Sequence, residues 1–88
     1  MEILKSAVAG TLESSDTYVE IEPAEENITI SVESVVEKQF GQKIRNAVAE
    51  VLAENGVSAA NVRVIDRGAL ECVIRARVET AILRAKGE

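Results

Sequence analysis

The sequence predicts an α+β fold, a two-layer sandwich with elements in the order βββαβα. Three observations carry this reading. Apolar residues alternate with period two over the first third of the chain, switch to a helical period after Ser34, and return to a helical period after a short fourth strand. A chain of 88 residues supports one domain, residues 1–88, with a core too small to hold a deep active-site cavity.

In Thr17 to Glu22 the apolar Val19 and Ile21 point away from Glu20 and Glu22, and Asn27 to Glu33 sets Ile28, Ile30 and Val32 against Thr29 and Ser31. Both segments read as half-buried strands. Ser6 to Glu13 is a third strand upstream, separated from the next by Ser14, Ser15 and Asp16, and Pro23 to Glu26 is a polar link that opens on the only Pro. Taken in order, the three form an antiparallel meander.

Ser34 and Glu37 stand as a capping box for the first helix. Its apolar stripe collects Val36, Phe40, Ile44, Ala47, Val48, Val51 and Leu52, and Asn55-Gly56 ends it as a left-handed C-cap. Gly41 sits at the edge of that stripe at a cost of about 1 kcal/mol relative to Ala, which a close approach of helix to sheet would explain. Asn61 to Asp66 is the fourth strand; if it pairs in parallel with the third, the helix between them makes a right-handed crossover. A second helix begins at Asp66 or Gly68 and runs to about Ala85. Its stripe of Leu70, Val73, Ile74, Val78, Ala81 and Ala85 packs on the same sheet face as the first helix. A weaker apolar side, made of Ala69, Cys72, Ala76 and Leu83, suits docking to larger subunits.

Composition narrows the chemistry. The chain has 15 acidic and 10 basic residues, a net charge of -5, no His and one Cys. Without His it lacks the usual general base at neutral pH, the Ser-His and Cys-His nucleophile pairs and the commonest zinc ligand. Neither a catalytic residue nor a metal site is expected. Net negative charge argues against nucleic acid, and only Tyr18 and Phe40 could stack on bases. No apolar stretch approaches the roughly 18 to 20 residues that span a bilayer. Glu2 and Lys5 break up the short apolar start, so no secretory signal is read there, and the expected location is the cytoplasm. Up to Glu37, nine carboxylates stand against Lys5 alone; this is either a well-solvated acidic region or an electrostatic docking surface.

Three features remain as candidates. Cys72 is a small packed hydrophobe or, less in keeping with Glu71 beside it, a nucleophile. Arg77 falls at the centre of the second helix's main stripe. Its stem covers the core while its guanidinium reaches an acidic neighbour such as Asp66, or it contacts an anion. Thr11 to Asp16 puts two hydroxyls, Ser14 and Ser15, between strands where the chain must be exposed. That is a polar turn, and it is also what a modifying enzyme needs.

Val8-Ala9-Gly10-Thr11-Leu12-Glu13-Ser14-Ser15-Asp16, then Val36-Glu37-Lys38-Gln39-Phe40-Gly41, then Gly68-Ala69-Leu70-Glu71-Cys72, resemble in order and spacing the acyl carrier protein (gamma chain) of citrate lyase. The resemblance covers almost the whole chain. It implies a non-catalytic carrier subunit in which Ser14, with Ser15 as competitor, is joined by a phosphodiester to a phosphoribosyl-dephospho-coenzyme A group. The thiol of that group carries acetyl and citryl units as thioesters while citrate is cleaved to oxaloacetate and acetate. The implied partners are the alpha (transferase) and beta (lyase) subunits, a prosthetic-group transferase and an acetyl ligase. Two alternatives stay open: the carrier subunit of malonate decarboxylase, and a scaffold or regulatory subunit with no covalent group.

Overall fold

The computed structural model describes residues 2–34 and 38–87, the side chains of residues 38 and 39 excepted. The element order is β1 (Ala7–Gly10), β2 (Thr17–Glu22), β3 (Ile28–Ser34), α1 (Lys38–Glu54), β4 (Ala60–Asp66) and α2 (Glu71–Ala85). This is the α+β order read from the sequence.

The strands form one mixed sheet in the order β1-β2-β4-β3. β1 and β2 are antiparallel, β2 and β4 are antiparallel, and β3 and β4 run parallel. The three-strand meander is therefore corrected: β4 lies between β2 and β3. Local patterning registers only that two strands are joined by a short link. Five extended residues reach about 16 Å, enough to cross a neighbouring strand, since a two-strand step is only about 10 Å. Burial picks the central strand. β4 is buried at five of its seven positions, whereas no residue of β3 is fully buried, as befits an edge.

One sheet face is covered and the other is open, which is why the strands alternate. Ala9, Val19, Val64 and Val32 form one row across the covered face, and Ala7, Ile21, Val62 and Ile30 the next. The helices lie side by side on these rows, α2 over β1 and β2 and α1 over β3. Val19, Val48, Leu52, Val64, Val78 and Ile82 are wholly buried between the layers, each contributing about 1.5 to 3 kcal/mol. On the open face Arg63 pairs with Glu20 on the neighbouring strand at 2.8 Å.

Helix ends follow local chemistry. α1 closes in a Schellman motif: the Gly56 N–H donates to Ala53 O at 3.0 Å and the Val57 N–H to Leu52 O at 2.9 Å, with Gly56 at φ +70°. Of the proposed capping box, Glu37 lies outside the described residues, as does Val36; the Ser34 hydroxyl donates to Asp66 Oδ2 at 3.2 Å. α2 starts later than expected, at Glu71, because Asp66 turns the chain by accepting the N–H groups of Gly68 and Ala69, both at 3.1 Å. Leu4 and Lys5 donate their N–H groups to Ala85 O at 3.0 and 3.1 Å, tying the first residues to the end of α2.

Three packing expectations fail. Phe40 and Leu70, placed in the two core stripes, are 45% and 72% exposed, because both border an open groove between the starts of α1 and α2. The close approach expected at Gly41 is absent, since a Cβ there would meet nothing within 4 Å. The glycine that does need its missing Cβ is Gly10: at φ +89°, an added Cβ would lie 1.8 Å from the Thr17 carbonyl oxygen. Alanine at these two positions therefore acts in opposite directions. Gly41→Ala is expected to raise stability by about 0.5 to 1 kcal/mol, and Gly10→Ala to lower it by about 2 kcal/mol or more. Denaturant midpoints of the two variants check both signs.

Candidate functional site

β1 and β2 are joined by residues 11–16, and the segment is built as a rigid corner. The Asp16 N–H donates to Glu13 O at 3.2 Å, so Ser14 and Ser15 occupy the corner positions of a four-residue turn, with Ser15 at φ +67°. A left-handed serine is strained and persists only where neighbours hold it. Here they do: the Ser15 N–H donates to Arg67 O at 2.8 Å and the Arg67 N–H to Asp16 O at 2.9 Å. This reciprocal pair extends the β2–β4 ladder one step past Thr17 and Asp66. Thr17, wholly buried, donates its hydroxyl to Ile65 O at 3.3 Å.

Asp16 is the hub of the corner. Its Oδ1 accepts the Thr17 N–H at 2.7 Å and Arg77 Nε at 3.1 Å, while Oδ2 accepts the Thr11 hydroxyl at 2.6 Å and Arg77 Nη2 at 3.0 Å. The Thr11 oxygen in turn accepts the Glu13 N–H at 3.2 Å. These donors favour the ionised carboxylate, the Thr11 hydroxyl most, then Arg77 and the Thr17 N–H. Against the opposing effect of partial burial they lower the Asp16 pKa from 3.8 to about 2.

Arg77 thus reaches an acidic neighbour, as its place in the stripe implied, but the partner is Asp16 rather than Asp66. The two carboxylates sit at adjoining ends of paired strands. Asp66 is already taken up by Gly68, Ala69 and Ser34. Because Arg77 spends two nitrogens on Asp16, that edge of its guanidinium does not serve as an anion grip. Cys72, expected to be packed, is exposed in the first turn of α2, a consequence of the late helix start. Among the described residues no group of three or more His, Cys, Asp or Glu could hold a metal ion, and no helix is long and apolar enough to cross a membrane.

Ser14 and Ser15 are both exposed. Among the described residues the Ser14 hydroxyl has no hydrogen-bond partner. The corner therefore offers a free hydroxyl on a backbone held from both sides. Patterning alone missed the parts that hold it: Gly10, Thr11, Asp16 and the Arg67 backbone. Gly at the end of a strand, with Thr and Asp bracketing two serines, was the available signal.

Asp16 gives the corner a defined pH response. Its folded pKa is depressed, so its contribution is fully present above about pH 4 and is lost as pH falls through about 2. Asp16→Asn is expected to flatten the fall in stability between pH 4 and 2, measured by thermal unfolding across that range. Arg77→Gln is expected to loosen residues 11–16, read as faster amide exchange, with Arg77→Lys restoring only part of the protection because it lacks the two-pronged geometry.

Comparison with known proteins places the chain in a family. The acyl carrier family model described as "Malonate decarboxylase delta subunit (MdcD)" matches residues 4–85. The "Citrate lyase acyl carrier protein" of Streptococcus uberis is 49% identical over 87 residues, covering 99% of this chain and 86% of the relative. Those of Haemophilus influenzae (strain PittEE) and Escherichia fergusonii are 53% and 54% identical, covering 100% and 97% of this chain and 92% and 89% of the relatives. Among solved structures, a chain of a Pseudomonas malonate decarboxylase hetero-tetramer in complex with malonate superposes with a TM-score of 0.79 at 22% identity, over 97% of this chain and 88% of that one; this likeness bears on the fold alone. Matched by that family model and by relatives of about half identity along nearly its whole length, the chain belongs to the family of citrate lyase acyl carrier proteins.

Proposed function

We propose that this chain is the acyl carrier subunit of a citrate lyase, with Ser14 as the attachment point of a covalent phosphoribosyl-dephospho-coenzyme A arm. The observation that carries the site assignment is the free, exposed Ser14 hydroxyl on a corner held by Arg67 and Arg77. When bound, the arm supplies the thiol that carries the acyl unit. The chain's own residues do the positioning. Asp16, Thr11 and Arg77 hold the corner, β1 and β2 project it from the sheet, and the Ser14 oxygen is left open to attack a phosphorus of a polyphosphate-activated form of the arm, the new P–O bond replacing the phosphoanhydride bond that breaks as pyrophosphate leaves. Among the described residues the Ser14 hydroxyl bonds to no base, so the group that takes its proton comes from the prosthetic-group transferase.

A carrier of this kind works without a catalytic residue of its own, and tethering raises the concentration of the acyl unit at each partner site. The proposed partners are the transferase (alpha) and lyase (beta) subunits, with an acetyl ligase recharging the thiol. An exposed thiol at Cys72 suits a reducing compartment, and the cytoplasm is the proposed location.

The description of the family model favours a second reading, the carrier of malonate decarboxylase. Roughly half identity to citrate lyase carriers over nearly full length supports the first. Co-expression with the transferase machinery is expected to give an intact mass one arm above the bare chain in the parent and in Ser15→Ala, and the bare mass in Ser14→Ala. A bare mass in the parent would sink the carrier reading. Support of malonate decarboxylation but not citrate cleavage after reconstitution would select the second reading.

A further inference from the structure

Phe40 and Leu70 are exposed well beyond what large apolar side chains usually are, and they face the same space. With Ile44, Ala69 and Ile74 they line a groove of about 390 Å³ between the first turns of α1 and α2. Its rim favours anions. Lys43 holds its ammonium 5.5 Å from the centre of the Phe40 ring and, among the described residues, pairs with no carboxylate. α2 begins at the groove with Leu70 at the cap position and no side-chain cap; among the described residues the N–H groups of Glu71 and Cys72 have no partner, while that of Val73 donates to Leu70 O at 3.0 Å. Among the described residues, the two carboxylates on the lining are engaged elsewhere: Asp66 by Ser34, Gly68 and Ala69, and Glu71 by Arg75.

The groove also adjoins the corner. Gly68 lines it, and the preceding residue, Arg67, exchanges backbone hydrogen bonds with Ser15 and Asp16. The corner that carries Ser14 is thus separated from the groove's lining by one residue, Arg67.

We propose that this groove docks the nucleotide part of the arm attached at Ser14, with the purine base against Phe40 and Leu70 and the phosphates at Lys43 and the open N–H groups of α2. The inference rests on the Ser14 reading. Its chemistry is a match of parts, an exposed ring for a flat base and a cation with helix N–H groups for phosphate oxygens. The groove need not be strong: a site with a dissociation constant of about 1 mM is substantially occupied by a tethered ligand, whose effective concentration is also about millimolar. The docked arm is held near one face of the carrier between encounters and leaves when a partner site competes for it.

The test uses two arms of one experiment. Holo protein, with attachment verified by intact mass, is compared with the bare chain by amide NMR. Expected are shift changes at Lys43, Gly68, Ala69 and Leu70 in addition to residues 13–16, with nuclear Overhauser contacts between adenine protons and the Phe40 ring that vanish in Phe40→Leu. Separately, dephospho-coenzyme A is titrated into the bare chain. Saturable shifts at the same groove amides are expected, weakened at least about threefold by Lys43→Gln. Phe40 and Lys43 are both exposed, so the variants retain the fold, which their spectra report. Changes confined to residues 13–16 in mass-verified holo protein, or titration shifts located elsewhere, overturn the proposal. If no arm is found, the Ser14 reading fails by itself and the titration decides the groove: saturable shifts at its amides uphold it, and their absence overturns it.

Discussion

The side-chain bonds that brace the corner of this carrier converge on one carboxylate. Asp16 accepts four hydrogen bonds, from a side chain before it, the backbone after it and both prongs of an arginine 61 residues away. Each donor alone is worth about 1 to 3 kcal/mol at most. Together with the backbone pair between Arg67 and residues Ser15 and Asp16, they fix a strained serine at the end of a two-stranded projection without burying it. The guanidinium stem also spans from the core to the turn, so the corner moves with α2 rather than with solvent.

An attachment point of the kind proposed at Ser14 must be exposed and yet well placed, and those demands conflict on an ordinary loop. Here the conflict is resolved by dividing labour between backbone and side chain. The backbone of Ser15 and Asp16 is enrolled into the sheet through Arg67, while the Ser14 side chain is left with nothing to do. Gly10 makes the arrangement sterically possible, because the Thr17 carbonyl lies where any other residue would put its Cβ.

Element type was largely legible in the sequence because it is written in short periods. Val19/Ile21 and Ile28/Ile30/Val32 announce strands, Ile44 to Leu52 a helix, and Asn55-Gly56 its end. The sheet order was not legible, since alternation records which face a residue shares but carries no information about which strand lies beside it. The same limit explains Phe40 and Leu70: helical phase assigns them to the apolar side, and only tertiary packing decides whether anything lies beneath. For Arg77, the stripe told of an arginine drawn toward the core edge. Choosing between Asp16 and Asp66 required the register that sets their strands side by side. Ser14 was picked out by resemblance, and physical reasoning alone stopped at an exposed polar turn.

The placement of β4 has a consequence for how the chain is made. As synthesis proceeds from the N-terminus, β1 and β2 can pair at once, but β3 has no strand beside it until β4 has been made, and the sheet closes only through non-local contacts, which form slowly. Meanwhile an apolar strand stands unpaired in a growing polypeptide, the usual opening for aggregation. Nine carboxylates lie in the first 37 residues, and like charge on two unfinished chains opposes their association through that strand.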